Sequence, residues 1–214
     1  MSQLFLDRFD NARKTVWSKL SALHPPFVLA GGTAIMLQIG HRESYDFDCF
    51  TQRELPASLY RTAARIFGRN TQKKMETPDM LTVVTPQSVE ITFIAYPYVP
   101  LRPPIATGSL PLFHLDDLAA NKAHTLGRRN VWRDYVDLFF LMKWGYYDLR
   151  AIITLAEKKY GSEFNSRLFT GQLVYFDDVS IVPTVFLKES YIPEEIKSYL
   201  EKQVTAYLKT VLPI

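Results

Sequence analysis

The sequence predicts a mixed α/β (α+β) domain over residues 1–100, followed by a mainly helical region over residues 101–214. Three observations carry that expectation. The first hundred residues mix short apolar runs and alternating runs with helical stretches, each closed by Gly or Pro, which is how short strands interleaved with helices read. A Pro-rich stretch, "YPYVPLRPPIATGSLP" (96–111), then breaks the pattern. Beyond it the long segments carry apolar residues at helical spacing.

Each element can be justified in turn. Leu4, Phe5, Phe9, Ala12, Val16, Trp17 and Leu20 share a helical spacing over 3–23, and "HPP" (24–26) stops that helix. "FVLA" (27–30) reads as a short buried strand; Gly31-Gly32 turns the chain, Thr33 caps, and Ala34–Ile39 begins a helix ended by Gly40. "SYDFDCFT" (44–51) alternates as a strand, with Tyr45, Phe47 and Cys49 on one face and Asp46, Asp48 and Phe50 on the other. Residues 56–68 form a helix, and "LTVVT" (81–85) and "VEITFIAY" (89–96) form two strands joined at Pro86-Gln87. Helices follow over 115–126, 132–145, 148–161 and 193–209, the last with Pro193 in its first turn, two glutamates at its positive end and a stripe of Ile196, Leu200 and Tyr207.

Composition narrows the function classes. A chain of 214 residues that is 47% hydrophobic and 22% charged folds around a real core. A net charge of +3 admits a phosphate-bearing partner but not binding of nucleic acid by bulk charge alone. The single cysteine, Cys49, excludes an internal disulfide and a cysteine-rich metal site. The first residues lack a signal-peptide layout and no apolar run reaches the roughly 20 residues needed to span a bilayer, so a cytoplasmic protein without membrane attachment is expected. His24, His41, His114 and His124 have no metal-ligand spacing.

The chemistry concentrates in "FVLAGGTAIMLQIGHRESYDFDCFT" (27–51). Asp46 and Asp48, at i and i+2 of one strand, send both carboxylates to one face, where they repel unless a divalent cation such as Mg²⁺ joins them. A bare pair of this kind is more often a solvated surface feature. Gly31, Gly32 and Thr33, between a strand and a helix start, offer backbone N–H groups to a phosphate, although such a turn alone is more often only a turn. Together they describe a nucleotide site, with phosphate at the turn and metal on the next strand. His41 and Arg42, just before the strand, are in reach of phosphate or base, a bland loop role being the alternative.

The glycine turn followed by "DFD" resembles the first motif of the DNA polymerase β-like nucleotidyltransferases. More narrowly, "GHRESYDFDCFT", "NKAHTLGRRNVWRDYVDLFFL" (121–141) and the C-terminal "FDDVSIVP…PEEIKSYLEKQV" resemble the AbiEii/AbiGii toxins of type IV abortive-infection systems, across most of the chain. The resemblance implies a polymerase β-like core with a small mixed sheet and a C-terminal helical region. It implies an enzyme that moves a nucleoside monophosphate from a nucleoside triphosphate, with Mg²⁺ or Mn²⁺, to an acceptor such as a tRNA 3′ end. It also implies a toxin with a cognate antitoxin, in antiviral defence. Gly31, Gly32, Thr33 and Arg42 would hold the nucleotide, Asp46 and Asp48 the metal, and Lys122 the developing charge. The resemblance points to Asp134 as the functional acid and Asp137 as structural. Arg128, Arg129 and Arg133 form a basic run around Lys122 that suits contact with an acceptor RNA, an ordinary solvated helix end being the alternative. The reverse assignment of the two acids stays open, since one of them could orient Lys122 or join the catalytic carboxylates while the other caps or pairs with Arg129 or Arg133. Lys122 lies off the apolar positions Leu115, Leu118, Ala119 and Leu126 of its helix, so it need not be core and alone would read as a solvated surface lysine.

One departure stands out. Where the superfamily carries a third aspartate, "VEITFI" has Thr92, with Glu90 two residues earlier on the same face. Either Glu90 substitutes as a metal ligand or a third carboxylate is absent. The same scaffold also admits a small molecule or protein as acceptor, and the missing aspartate admits a catalytically silent nucleotide- or partner-binding module.

Overall fold

The computed structural model describes residues 4–23, 26–126 and 128–211. They form two compact units divided between His114 and Leu115.

The first unit begins with α1 (Asn11–Leu20), capped by Asp10, whose carboxylate accepts from the Arg13 N–H at 2.7 Å. Short 3-10 turns at 6–8 and 21–23 flank α1 in place of one continuous helix over 3–23. The expected stop at His24-Pro25 lies outside the described residues, among which α1 has already ended at Leu20. Then come β1 (Val28–Ala30), α2 (Gly31–Ile39), β2 (Phe47–Thr51), α3 (Leu59–Phe67), β3 (Gln72–Glu76), β4 (Met80–Val84) and β5 (Glu90–Ala95). The five strands make one mixed sheet in the order β1-β2-β5-β4-β3, with β2 and β5 parallel and every other pair antiparallel.

The core sits on one face of this sheet. Phe47, Cys49, Ile91 and Phe93 are buried there, and α2 buries Ala34, Ile35, Met36, Leu37 and Ile39. Trp17 of α1 stacks on Phe47, centroids 6.1 Å apart, while Phe9 meets the same ring edge-on at 5.5 Å. The other face of β2 and β5 carries Asp48, Phe50, Glu90 and Thr92, each half-buried. Alternation alone produces that division, since one side chain in two faces the core.

β3 is a finding the sequence pattern does not reveal. Every residue of it is exposed, and its charges Lys73, Lys74 and Glu76 suit an edge strand, where they discourage pairing with another chain. The Pro-rich stretch belongs to the first unit instead of opening the second. Leu112 bridges Leu29 of β1 and pairs with Ile105, and the Leu29 N–H donates to the Pro111 carbonyl at 2.8 Å. That is why the units divide after His114 and not near residue 100.

The second unit contains α4 (Leu115–Leu126), α5 (Trp132–Lys143), α6 (Leu149–Tyr160), α7 (Ser166–Gln172) and α8 (Pro193–Val211). α7, capped by Asn165, is too short and polar to register as a periodic segment. Along α8 the buried stripe is Ile196, Leu200 and Val204; Tyr207, expected on that stripe, lies beside it under the Arg150 guanidinium, 5.6 Å from the ring. Among the described residues no helix is long and apolar enough to cross a membrane.

Candidate active site

β1 runs directly into α2, and Gly31 makes the joint possible. Its φ of +66° is a left-handed conformation, and a Cβ there would lie 1.9 Å from Asp48 Oδ2. With no side chain at Gly31, the Asp48 carboxylate rests against the backbone where α2 starts. Gly32 does the same for a cation: a Cβ would meet Arg42 Nη2 at 2.5 Å and Ser44 Oγ at 3.1 Å. Arg42 is 2% exposed, its Nη1 donating to the Glu43 carbonyl at 2.8 Å, so its guanidinium is held at the first turn of α2. Gly31→Ala is therefore expected to cost about 1–2 kcal/mol in backbone strain and to push Asp48 aside. A thermal melt and a transfer assay should show a modest drop in Tm beside a disproportionate loss of transfer.

Thr33 was expected to cap α2, but the helix has Ala30 at its N-cap and no side-chain cap. The Thr33 hydroxyl instead donates to the Asp46 carbonyl at 2.5 Å and lies 2.9 Å from Ser44 Oγ. It fastens α2 to the residues just before β2. The glycine turn and the acid pair are thus parts of one construction, tied at Gly31–Asp48, Gly32–Arg42 and Thr33–Asp46.

Asp46 precedes β2 and Asp48 lies within it, opposite Thr92 of β5 in the parallel register. Thr92 and Thr82 of β4 approach each other through their hydroxyls at 3.3 Å. Glu90 shares the Asp48 face but ion-pairs with Lys74 on β3. That carboxylate, hydrogen-bonded to the Lys74 ammonium, raises the lysine above its ordinary range, and the Asp46 charge adds to the effect. Among the described residues, no three His, Cys, Asp or Glu side chains form a group able to hold a metal ion by themselves.

A second cluster lies in the second unit. Lys122 of α4 is 6% exposed and its ammonium is clamped by two carboxylates of α5, Asp134 Oδ1 at 2.5 Å and Asp137 Oδ2 at 2.6 Å. Asp134 also accepts from Arg129 Nε at 3.0 Å. Lys122, which need not have been core on its spacing, is buried, and of the roles left open for the two acids, holding the lysine falls to both, while Asp134 pairs with Arg129 as well. Asp134 and Asp137, three apart on α5, present one face to it. Arg128 is exposed and reaches Glu163 at 3.9 Å, while Arg133 is half-buried.

A family profile described as nucleotidyl transferase AbiEii toxin, type IV TA system, matches residues 16–213. The chain belongs to the AbiEii nucleotidyltransferase toxin family. It is therefore a nucleotidyltransferase. An uncharacterised Aquifex aeolicus (strain VF5) protein, aq_aa25, is 29% identical over 185 residues, which is 86% of this chain and 88% of that protein. Two Helicobacter pylori structures share the fold. One, described as a candidate nucleotidyltransferase, superposes with a TM-score of 0.60 at 20% identity, covering 94% of each chain. The other, JHP933, gives a TM-score of 0.50 at 17% identity over 94% of this chain and 96% of its own.

Sequence reasoning about this AbiEii-family chain overlooked two cations. Lys74 lay in an unreadable stretch, for an exposed edge strand has no apolar alternation to betray it. Arg13 was hidden inside a helical pattern. Its Nη1 donates to the Ser44 carbonyl at 2.8 Å, its Nη2 lies 3.8 Å from Glu43, and its guanidinium stacks 4.9 Å from the Tyr45 ring. Arg13 therefore fixes the segment that delivers Asp46. A charged residue 31 positions away from its carbonyl partner leaves no local signal.

The helices of the second unit also bury polar groups that no motif announced. Lys159 of α6 donates to Asp117 Oδ1 and to Asn121 Oδ1 of α4, both at 2.7 Å, and burial pushes its ammonium below the ordinary lysine range against the pull of Asp117. His124 stacks on Tyr160 with ring centroids 3.8 Å apart. Burial, with the nearby Arg128 and Lys159 charges, lowers His124 from 6.5 to about 4, and Glu163 opposes the shift. Between those values the unfolded chain binds the proton more readily than the folded one, so stability falls as pH drops from about 6.5 to about 4 and this loss is complete below that. His124→Phe keeps the stacked ring without the titration. Its Tm should therefore decline less steeply than the wild type's over that pH interval.

Proposed function

We propose that this AbiEii-family nucleotidyltransferase transfers a nucleoside monophosphate from a nucleoside triphosphate to the 3′ end of tRNA, as a cytoplasmic toxin in phage defence restrained by a cognate antitoxin. The observation that carries the reading is the contact of the Asp48 carboxylate with Gly31, and of the Asp46 backbone carbonyl with Thr33, at the start of α2. The donor set fits a divalent cation: the carboxylates of Asp46 and Asp48, two residues apart, suit Mg²⁺ or Mn²⁺ when substrate phosphate oxygens complete its shell. Bound there by Asp46 and Asp48, such an ion would neutralise charge on the phosphates.

The chain's own groups supply the rest. Backbone N–H groups at Gly31, Gly32 and Thr33 and the Arg42 guanidinium bind and orient the triphosphate. The acceptor hydroxyl oxygen forms the new bond to the α-phosphorus and gives up its proton to solvent water, while the bond from the α-phosphorus to the α–β bridging oxygen breaks and pyrophosphate leaves with that electron pair. Lys122, held in a fixed orientation by Asp134 and Asp137, is the cation assigned to the charge that develops. The exposed Arg128 and Arg129, with Arg133, favour a polyanionic acceptor, which predicts weaker binding at higher salt.

The test is incubation with each α-labelled nucleoside triphosphate, Mg²⁺ and total tRNA. Label should enter tRNA with at least one of the four. Label appearing only in protein or small molecules would reassign the acceptor, and no transfer to tRNA with any nucleotide would sink the reading. Glu90 has its own test. If it serves by holding Lys74, Glu90→Gln and Lys74→Met should each slow transfer modestly, and the double variant no further than either alone. Additive losses would make Glu90 an independent ligand.

A further inference from the structure

Beyond Asp48 on the same face of β2, the side chain of Phe50 enters a pocket of about 320 Å³ that the phosphoryl chemistry leaves unused. Phe50, Tyr96 and Phe113 wall it, with Val28 beside them and Gln52 and Arg53 at the rim. Phe50 and Tyr96 have centroids 4.7 Å apart at 48°, and Phe113 meets Phe50 edge-on at 6.0 Å. Phe50 and Tyr96 are only half-buried, whereas Phe113 is buried, so two rings keep surface open to an occupant. The backbone fixes the wall, because the Tyr96 N–H donates to the Thr51 carbonyl at 2.6 Å where β2 and β5 end.

We propose that this pocket binds a nucleobase, either that of the donor triphosphate or that of the acceptor's terminal nucleotide. The inference rests on the nucleotidyltransfer reading and names a subsite for it. Three features select a base over another apolar occupant. Successive same-face residues on a strand stand roughly 6.6 Å apart, so Phe50 lies one such step from the Asp48 carboxylate, within reach of a ligand whose phosphates sit at that carboxylate. Aromatic rings accept a flat base by stacking whatever its identity. The Gln52 amide and Arg53 guanidinium, both exposed at the mouth, supply hydrogen-bonding groups for a base edge and a cation for its phosphate.

The experiment measures binding to the full chain by calorimetry, without relying on transfer. The ligands are the four nucleoside triphosphates, inorganic triphosphate, and a short single-stranded oligoribonucleotide. Tyr96→Ala should weaken nucleoside triphosphate or oligonucleotide by roughly tenfold and leave inorganic triphosphate unchanged, with Tyr96→Phe restoring the loss. A loss confined to the triphosphates assigns the pocket to the donor base, and one confined to the oligonucleotide assigns it to the acceptor base. Arg53→Ala, exposed at the rim, decides the matter if Tyr96→Ala does not fold: it should weaken the same ligand. Unchanged affinities for every nucleoside ligand in variants that melt like wild type overturn the proposal. A chain that transfers normally with unchanged affinities loses only the pocket. One that binds bases through Tyr96 yet transfers nothing to tRNA keeps the pocket and loses the proposed acceptor.

Discussion

Asp48→Asn is expected to lower nucleotide transfer by about a thousandfold or more while the chain unfolds within a few degrees of wild type. The substitution keeps the side chain's shape against Gly31, where the carboxylate packs on backbone, and removes only its charge. Asp46→Asn should behave alike for a separate reason: Thr33 holds the Asp46 carbonyl, so losing the carboxylate leaves that fastening in place. Neutralising a half-exposed acid ordinarily changes stability by about ±0.5 kcal/mol. A collapse of activity with an unaltered melt would therefore report chemistry and not folding. Normal transfer by either variant at saturating Mg²⁺ would remove the acid pair from the reaction.

The second large effect is on stability. Lys122→Ala should destabilise the second unit by about 3–5 kcal/mol, because Asp134 and Asp137, 1% and 0% exposed, would keep their charges without the ammonium between them. Arg129 reaches Asp134 and offsets part of that loss, leaving Asp137 as the costlier survivor. Loss of transfer in Lys122→Ala alone would thus report the fold. The informative protein is Lys122→Met combined with Asp134→Asn and Asp137→Asn, which removes all three charges together and should recover most of the stability seen in urea unfolding. If that variant folds and transfers nothing, the charges of the cluster serve the reaction; if it transfers normally, the cluster is architectural.

The contrast between these two sites explains what the sequence could disclose. Around Asp48 the partners are near in the chain and obey a period of two, so the strand and the preceding glycine turn were readable, whereas Asp46 and Tyr45, expected within the strand, precede it. What Gly31 and Gly32 accommodate was not readable, since a glycine advertises freedom without naming the atom that uses it. The two-strand hairpin over 81–96 was legible from its apolar residues, and Thr92 duly stands opposite Asp48. β3 was not, because an edge strand exposed along its whole length has no apolar face to show. Lys122 misled for the opposite reason. A lysine on an amphipathic helix reads as solvated, and its burial depends on carboxylates supplied by another helix. The same holds for Lys159 and Asp117, an ion pair between α6 and α4.

The parallel pairing of β2 with β5 has a consequence for the order of events after synthesis. Asp48 and Thr92 become neighbours only when everything between them, α3, β3 and β4, has been bridged. Closing such a loop carries an entropic penalty before any contact rewards it, and pairings of this kind form late. A growing chain can complete β1, α2 and β2 while β5 is still being made. The strand carrying Asp48 therefore gains its parallel neighbour at a late stage of maturation, and the interval before that is one in which a nucleotidyltransferase has been partly built without its full sheet.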